Sequence, residues 1–285
     1  MLPKRASGTA TLVTALRALA SLGENRLIDD TAARHLLPRS WSHAIGLVGR
    51  VPRGAALLRR APDLISPGRL EHIALRTSVI DACIRRELAR GATELVILGA
   101  GFDTRAHRLR ELAQTTVYEV DHPATQARKR ERTRRLEIAA RARRFVPVDF
   151  ERGSLEGDLR ASGFDANAPS VFIWEGVTMY LTLQAIRATL GELSTLASPG
   201  SSLLFTYYDG SGASGPPSTV TPLLAALLGE PFRTSFSPSE AAALLAEFGF
   251  RVEEDSGRND WARARGRKPR GRAQERVALA RCDRI

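Results

Sequence analysis

The sequence predicts an α/β protein: one doubly wound sheet of seven strands, mostly parallel with an antiparallel last strand, preceded by an N-terminal helical lid. Three observations carry this expectation. From Thr93 onward, short apolar runs alternate with helical segments, and that alternation makes right-handed crossovers around a largely parallel sheet. The runs are apolar at successive positions, as strands buried between two helical layers must be. Finally, 43% hydrophobic and 26% charged residues over 285 positions suit one large globular domain or a domain with an appended lobe. They argue against collagen, a coiled coil and a disordered chain. The expected division is 1–92 for the lid and 93–285 for the sheet domain, with a cap insertion at 209–236.

Residues 9–37 read as helical, with Leu12, Leu16 and Leu19 at helical spacing and a short second helix over 31–37 stopped by Pro38. Four prolines (Pro38, Pro52, Pro62 and Pro67) break 38–70 into expected short helices and turns. Ile73, Ile80, Ile84 and Leu88 share one helical stripe, which Gly91 should end. The strands follow: 94–98, 115–120, 144–148, 170–174 and 202–208. Helices are expected at 104–113, from Pro123 through the basic segment that follows it, and along the Ile186, Leu190, Leu193 stripe. After a turn-rich break at 209–219, Ser237 and Glu240 form a capping box with Pro238 at the first helical position. Phe250–Val252 and Arg276–Ala280 read as the last two strands.

In open sheets of this kind the ligand lies beyond the carboxyl ends of the strands. Strand 1 ends in Gly99-Ala100-Gly101, where missing side chains let backbone approach a ligand. The helix that follows should present unpaired N–H groups. Asp121 closes strand 2, 20 residues beyond Gly101, where a carboxylate can grip the two ribose hydroxyls of a nucleoside. Asp149 closes strand 3, placed to accept from an adenine amino group, and Glu175 closes strand 4. The third glycine of the dinucleotide fingerprint is missing, and Asp103 would repel a pyrophosphate. The pattern therefore favours a nucleoside without phosphates, S-adenosylmethionine being the obvious candidate, over a nicotinamide cofactor.

Four motifs, LVILGAGFDTRAHRL at 95–109, YEVDHP at 118–123, VPVDF at 146–150 and EGVTMYL at 175–181, resemble the leucine carboxyl methyltransferase-like family of S-adenosylmethionine-dependent O-methyltransferases, in its bacterial small-molecule branch. LIDDTAARHLL at 27–37 and LRTSVID at 75–81 extend the similarity, which spans about 9–208. The resemblance implies a class I methyltransferase, Rossmann-like fold and, most of all, methyl ester formation on a small-molecule carboxylate. It also implies roles for single residues. Arg76 matches the arginine that binds the cofactor's methionine carboxylate, and Gly99 and Gly101 the loop beneath the cofactor. Asp121 matches the ribose-binding acid, Asp149 and Phe150 the pair at the adenine, Glu175 an acid beside the methionine ammonium, and Tyr180 a tyrosine near the acceptor. Tyr180 is the candidate catalytic residue. The family's N-terminal lysine has no clear counterpart; Arg5 and Arg17 are the available substitutes.

A carboxylate acceptor is already ionised near neutral pH and needs no base. A phenol or alcohol acceptor, the alternative, would need one, and His107 and His122 are the candidates. The lid and the 209–236 insertion, with Leu223, Leu224, Leu227 and Phe232, are expected to set acceptor choice. The net charge of +11 keeps a nucleic-acid partner open, a tRNA-modifying methyltransferase included. The basic segments 128–144 and 258–272 are expected to be a solvated helix face and an exposed loop. No apolar run approaches the ~20 residues that cross a bilayer, so no membrane partner is expected. Cys83 and Cys282 cannot form a disulfide framework, which makes a cytoplasmic setting the default. No metal site is recognisable.

Overall fold

The structure is a computed structural model, and it describes residues 8–23, 26–65, 68–150, 154–211, 231–268 and 274–283. Arg5, the expected apolar positions Leu223, Leu224 and Leu227, and most of the 209–236 insertion lie outside the described residues.

Seven strands form one sheet in the order β3-β2-β1-β4-β5-β7-β6. They are β1 (Glu94–Leu98), β2 (Thr116–Asp121), β3 (Ala142–Pro147), β4 (Ser170–Trp174), β5 (Ser202–Tyr208), β6 (Phe250–Gly257) and β7 (Glu275–Cys282). The first five pair in parallel, and β7 runs antiparallel between β5 and β6. Alternate strand residues bury on opposite faces, as the period of 2 requires. Val96, Leu98, Tyr118, Val120, Phe172, Trp174, Leu203 and Phe205 enter one core. It is closed by α7 (Leu155–Ala161), α8 (Leu183–Leu196) and α9 (Pro238–Glu247). Leu95, Ile97, Val117, Val171, Ile173 and Leu204 enter the other, covered by α4 (Arg69–Ala89) and α10 (Arg258–Arg263). Gly91 adopts φ 103° just past α4, as its expected stop position demands. The capping box forms, Ser237 Oγ accepting from the Glu240 N–H and Glu240 from the Ser237 N–H.

The lid departs from its expected form. The first helix, α1 (Gly8–Ala20), stops well short of 37, and the second is a single 3₁₀ turn, Ala33–Leu36. The proline-rich stretch holds two regular helices instead of short pieces, α2 (Arg39–Val48) and α3 (Pro52–Ile65). Proline is tolerated in a first helical turn, where its missing N–H would be unpaired anyway, so Pro52 opens α3 without penalty; Pro62 is carried inside it. The expected helix at 104–113 splits into one turn, α5 (Arg105–Arg108), and a 3₁₀ segment, Arg110–Gln114. The helix after β2, α6 (Pro123–Thr133), ends before most of the basic segment. No described helix is long and apolar enough to cross a membrane.

The basic segments are mostly the solvated face and exposed loop expected, with Arg128, Arg130, Arg134, Arg135, Arg263, Arg265 and Arg267 exposed, but two of their cations are buried. Lys129 on α6 is buried and pairs with the buried Glu119 at 2.9 Å. Arg258 opens α10, is buried, and meets Glu71 at 3.3 Å. These charges are spent inside the fold.

Candidate active site

The strand order reverses between β1 and β4, so their carboxyl ends flank the crevice that open sheets use for ligands. Leu98 pairs with Val120 on one side and Trp174 on the other. Gly99, Asp121 and Glu175, next in each chain, therefore stand in one row at the sheet's edge.

Both loop glycines need to be glycine. Gly99 has φ 64° and Gly101 φ 45°. A Cβ on Gly99 would sit 2.4 Å from Val177 Cγ2 in the loop after β4. A Cβ on Gly101 would meet the Cβ of Ala10 at 3.4 Å, which shows how closely α1 covers this loop. Gly99→Ala should cost ~1–2 kcal/mol from the left-handed backbone alone, with the Val177 clash added. Thermal denaturation checks this. Val177→Ala in the Gly99→Ala background should recover the clash and leave the backbone cost, so full recovery would contradict the assignment.

Asp121 lies at the end of β2 and is buried. Its carboxylate accepts from the Gly101 N–H through Oδ2 and from the His122 N–H through Oδ1, the latter at 2.6 Å. Burial raises the Asp121 pKa from its ordinary value, and these two N–H groups oppose the rise. The Gly101 N–H is therefore taken by a side chain and is not open to a ligand. The Arg105 N–H is taken too, by Asp103 Oδ1 at 2.7 Å. Of the N–H groups expected to be unpaired at the start of this helix, α5, a single turn, has its first one satisfied locally. Asp149 stands exposed beyond β3, and Phe150 is half-buried with its ring 6.3 Å from that of Trp174.

Arg76 and Glu175 come together in direct contact. Arg76 on α4 donates from Nε to Glu175 Oε1 at 2.9 Å. Its Nη1 donates to both oxygens of Glu275 at 2.6 Å. Sequence reasoning missed Glu275. It opens β7, whose antiparallel course brings it beside Tyr208 at the carboxyl edge of β5. Only the strand order supplies that position; a lone acid before an apolar run carries no signal. His72, one turn before Arg76, adds a bond to Glu275 at 2.9 Å and stacks on Trp261.

Arg105 was also missed, although it lies within the GAGFDTR motif. It is buried and binds Asp81 at 2.8 Å, Asp103 at 2.5 Å and Glu175 at 2.8 Å. Arg108 binds Asp81 in turn, at 2.6 Å. Glu175 is thus held between two arginines. Arg17 reaches the same region from α1, donating to the Phe102 carbonyl at 2.5 Å and lying 3.5 Å from Asp30. Asp30 receives Thr104 Oγ1 at 2.8 Å, which ties the lid to the strand 1 loop.

Burial alone would raise Asp103 and Glu275, but the arginines overcome it. Asp103 is held well below the usual range, chiefly by Arg105. Glu275 is held at about 2 by the charge of Arg76 and the bonds from His72 and Arg76. A carboxyl whose folded pKa is depressed contributes stability above its unfolded pKa and loses it as pH falls toward the folded value. For Glu275 that window runs from 4.5 down to about 2. Chemical denaturation at several pH values should show stability declining through it, with a shallower decline in Glu275→Gln.

Tyr180 ends a 3₁₀ turn, Thr178–Tyr180, after β4. Thr206 of β5 pins this loop: its Oγ1 accepts from the Gly176 N–H at 2.7 Å, and its carbonyl accepts from Thr178 Oγ1 at 2.6 Å. The half-buried Tyr180 ring packs edge-on against Phe232, with centroids 5.3 Å apart, and Phe232 packs on Tyr208 at 5.1 Å. Burial lowers the pKa of Arg69, at the start of α4, and the charge of Glu275 opposes that shift. Both candidate bases are engaged elsewhere. His107 Nδ1 meets the Glu137 carbonyl at 2.7 Å and its Nε2 meets Arg143. His122 Nδ1 accepts from the Ala124 N–H at 3.2 Å, capping α6.

The sequence profile of the leucine carboxyl methyltransferase family matches residues 10–194. The chain belongs to that family. A relative from Mycolicibacterium gilvum, provisionally named an S-adenosyl-L-methionine-dependent methyltransferase, is 37% identical over 209 residues, covering 71% of this chain and 66% of its own length. Relatives of the same provisional name from Mycolicibacterium paratuberculosis and Mycobacterium tuberculosis are 35% and 36% identical over 198 residues, which is 68% of this chain and 63% and 56% of theirs. The chain therefore matches just under two thirds of these relatives' length. Among solved structures, a protein from Thermobifida fusca, provisionally called a methyltransferase, superposes with TM-score 0.61 at 16% identity, covering 99% of this chain and 97% of its own. A DUF574-family protein from Streptomyces avermitilis gives TM-score 0.62 at 13% identity, covering 97% of each chain. At these identities the structures establish the shared fold. The fold is the one the family resemblance implied: a class I methyltransferase, Rossmann-like sheet with one antiparallel strand.

Proposed function

We propose that this family member is an S-adenosylmethionine-dependent O-methyltransferase that esterifies a carboxylate of a small molecule. One observation carries the reading. A buried carboxylate, Asp121, is fastened by two backbone N–H groups beside a pair of glycines with left-handed backbone, at the reversal point of the sheet. A carboxylate at that point, with lone pairs beyond those two bonds, suits two vicinal hydroxyls.

The cofactor, when bound, supplies a methyl group on a positively charged sulfur. Everything else falls to the chain. Asp121 would accept from the ribose hydroxyls. The Arg76–Glu175 pair offers one cation and one anion to the zwitterionic methionine end, each already oriented by a second partner, Glu275 and Arg105 respectively. Asp149 and Phe150 would border the adenine, and Tyr180, backed by Phe232, the acceptor. Alignment of acceptor oxygen with methyl carbon and exclusion of water contribute most of the rate in such a displacement, up to ~7–11 kcal/mol for well-oriented pairs. The engagement of His107 and His122 in structural bonds supports an acceptor that needs no base.

The test is transfer of labelled methyl from S-adenosylmethionine to a panel of aromatic and aliphatic carboxylic acids and phenols. A carboxylate acceptor predicts a product cleaved by mild base and a rate nearly flat from about pH 6 to 9, because the acceptor, with a pKa near ~4, is ionised throughout. A base-stable product whose formation rises with pH would replace the ester reading with phenol or alcohol methylation. Absence of S-adenosylhomocysteine binding by calorimetry would remove the methyltransferase reading altogether.

A further inference from the structure

One run of exposed basic charge lies in a region that the proposed reaction does not use. From Thr31 to Pro62 there is no acidic residue, and there are six arginines: Arg34, Arg39, Arg50, Arg53, Arg59 and Arg60. Four of them, Arg39, Arg50, Arg53 and Arg60, are exposed and form no ion pair among the described residues. The basic segment at 258–268 differs, since Arg258, Arg263 and Arg267 each meet a carboxylate; at 128–144, Arg128, Arg130, Arg134 and Arg135 are exposed as well, but Glu131 and Glu137 stand among them and Ile138 is the one large apolar residue exposed there among the described residues.

The same helices carry exposed apolar side chains. Of the seven large apolar residues exposed among the described residues, five lie between 41 and 57: Trp41, Leu47, Val48, Val51 and Leu57. They are not scattered. On α2, Trp41, Ala44 and Val48 share the i, i+3, i+7 stripe and Leu47 lies beside it, all exposed, while Ile45 turns inward. On α3, Arg53, Leu57 and Arg60 form one exposed stripe, an apolar side chain between two cations one turn away on either side, with Ala55 inward. α3 starts directly against the end of α2, where a Cβ on Gly54 would sit 2.8 Å from Val48 Cγ1.

We propose that the α2–α3 face of the lid docks on an anionic lipid surface, with Trp41, Leu47 and Leu57 entering the headgroup boundary and the arginines contacting lipid phosphates. An apolar row flanked by unpaired arginines, with a tryptophan on it, is the pattern of an element that lies in the interface plane. Such an element needs no spanning run, so the absence of one in the sequence does not bear on it. Charge decides between occupants. A second copy of this chain would bring the same unpaired arginines face to face, and the resulting repulsion opposes self-association through this face. An anionic bilayer complements both features at once, since basic side chains near its surface are attracted and the apolar ones are buried.

Trp41 makes the test direct. It is 51% exposed, whereas Trp174 and Trp261 are at 0% and 4%. The full chain is mixed with vesicles of phosphatidylcholine alone or with added phosphatidylglycerol, followed by co-sedimentation and tryptophan emission. The expected result is sedimentation with the anionic vesicles only, weakened by salt, and a blue shift that vanishes in Trp41→Phe. An Arg50→Glu/Arg53→Glu pair and a Leu47→Ser/Leu57→Ser pair should each lower vesicle affinity about tenfold or more. All four positions are exposed, and binding of S-adenosylhomocysteine serves as the check that these variants are folded. No sedimentation, or sedimentation indifferent to both pairs, overturns the proposal. So does dependence on the arginines alone with equal competition by heparin or duplex DNA, which would make the face a general polyanion site. A dimer in light scattering that the Leu47→Ser/Leu57→Ser pair dissociates would make it a self-interface instead.

Discussion

Asp121→Ala should weaken S-adenosylhomocysteine binding by ~1.5–3 kcal/mol, the scale for hydrogen bonds to a charged group, or about 10- to 150-fold in dissociation constant. The effect is large because the carboxylate has a double duty. It holds the Gly101 and His122 N–H groups on one side, and in the proposed complex it receives the ribose on the other. Removing it leaves two backbone donors without their partner, at ~1–3 kcal/mol for each one that stays buried and unpaired. Asp121→Asn separates the two contributions. Its amide oxygen can accept only one of the N–H bonds, and its amino group faces the other donor, so affinity and melting temperature should both fall, by less than in the alanine variant. Calorimetric titration and thermal denaturation report the two losses independently. Wild-type affinity in both variants would move the nucleoside away from β2.

Arg105→Met should be the most destabilising single change at the site. The guanidinium is 1% exposed and serves three carboxylates, Asp81, Asp103 and Glu175. Asp81 keeps Arg108 and Glu175 keeps Arg76, but Asp103 loses the cation that holds its pKa down. Stranding a buried charge costs ~3–5 kcal/mol, which for a chain of this size corresponds to a melting temperature lower by about 10 °C. Two further results should accompany that drop. The gap between variant and wild type should narrow as pH falls below about 4, because protonation relieves the stranded carboxylate in the variant while it removes a favourable charge in the wild type. Asp103→Asn added to Arg105→Met should restore part of the loss. A melting temperature within a degree of wild type would show that Arg105 is not part of a coupled network.

The sheet of this protein is largely legible in its sequence. The runs 94–98, 170–174 and 202–208 coincide with β1, β4 and β5, because a strand buried on both faces writes itself as an uninterrupted apolar run. The helix stop at Gly91 is equally legible, since left-handed backbone after a helix needs glycine. The lid was harder. Pro52 and Pro62 read as breaks, yet a proline in a first turn breaks nothing and one within α3 is carried by the rest of the helix. α1 ends at Ala20 rather than running on, because Gly23 follows with left-handed backbone, φ 71°, which closes a helix.

At the site, local motifs reveal the residues at the strand ends: Gly99, Asp121 and Glu175 sit in one row because parallel pairing lines up the carboxyl ends of β1, β4 and β2. That much follows from the chain alone, since alternation and spacing are properties of neighbouring residues. What fold alone decided is the company those residues keep. Glu275 lies 199 residues from Arg76 and reaches it only because β7 enters the sheet antiparallel beside β5. Arg105 looks like a surface helix residue until Asp81 and Glu175 are folded onto it, 24 and 70 residues away. Ion pairing inside a protein depends on distance in space, and sequence records only distance along the chain.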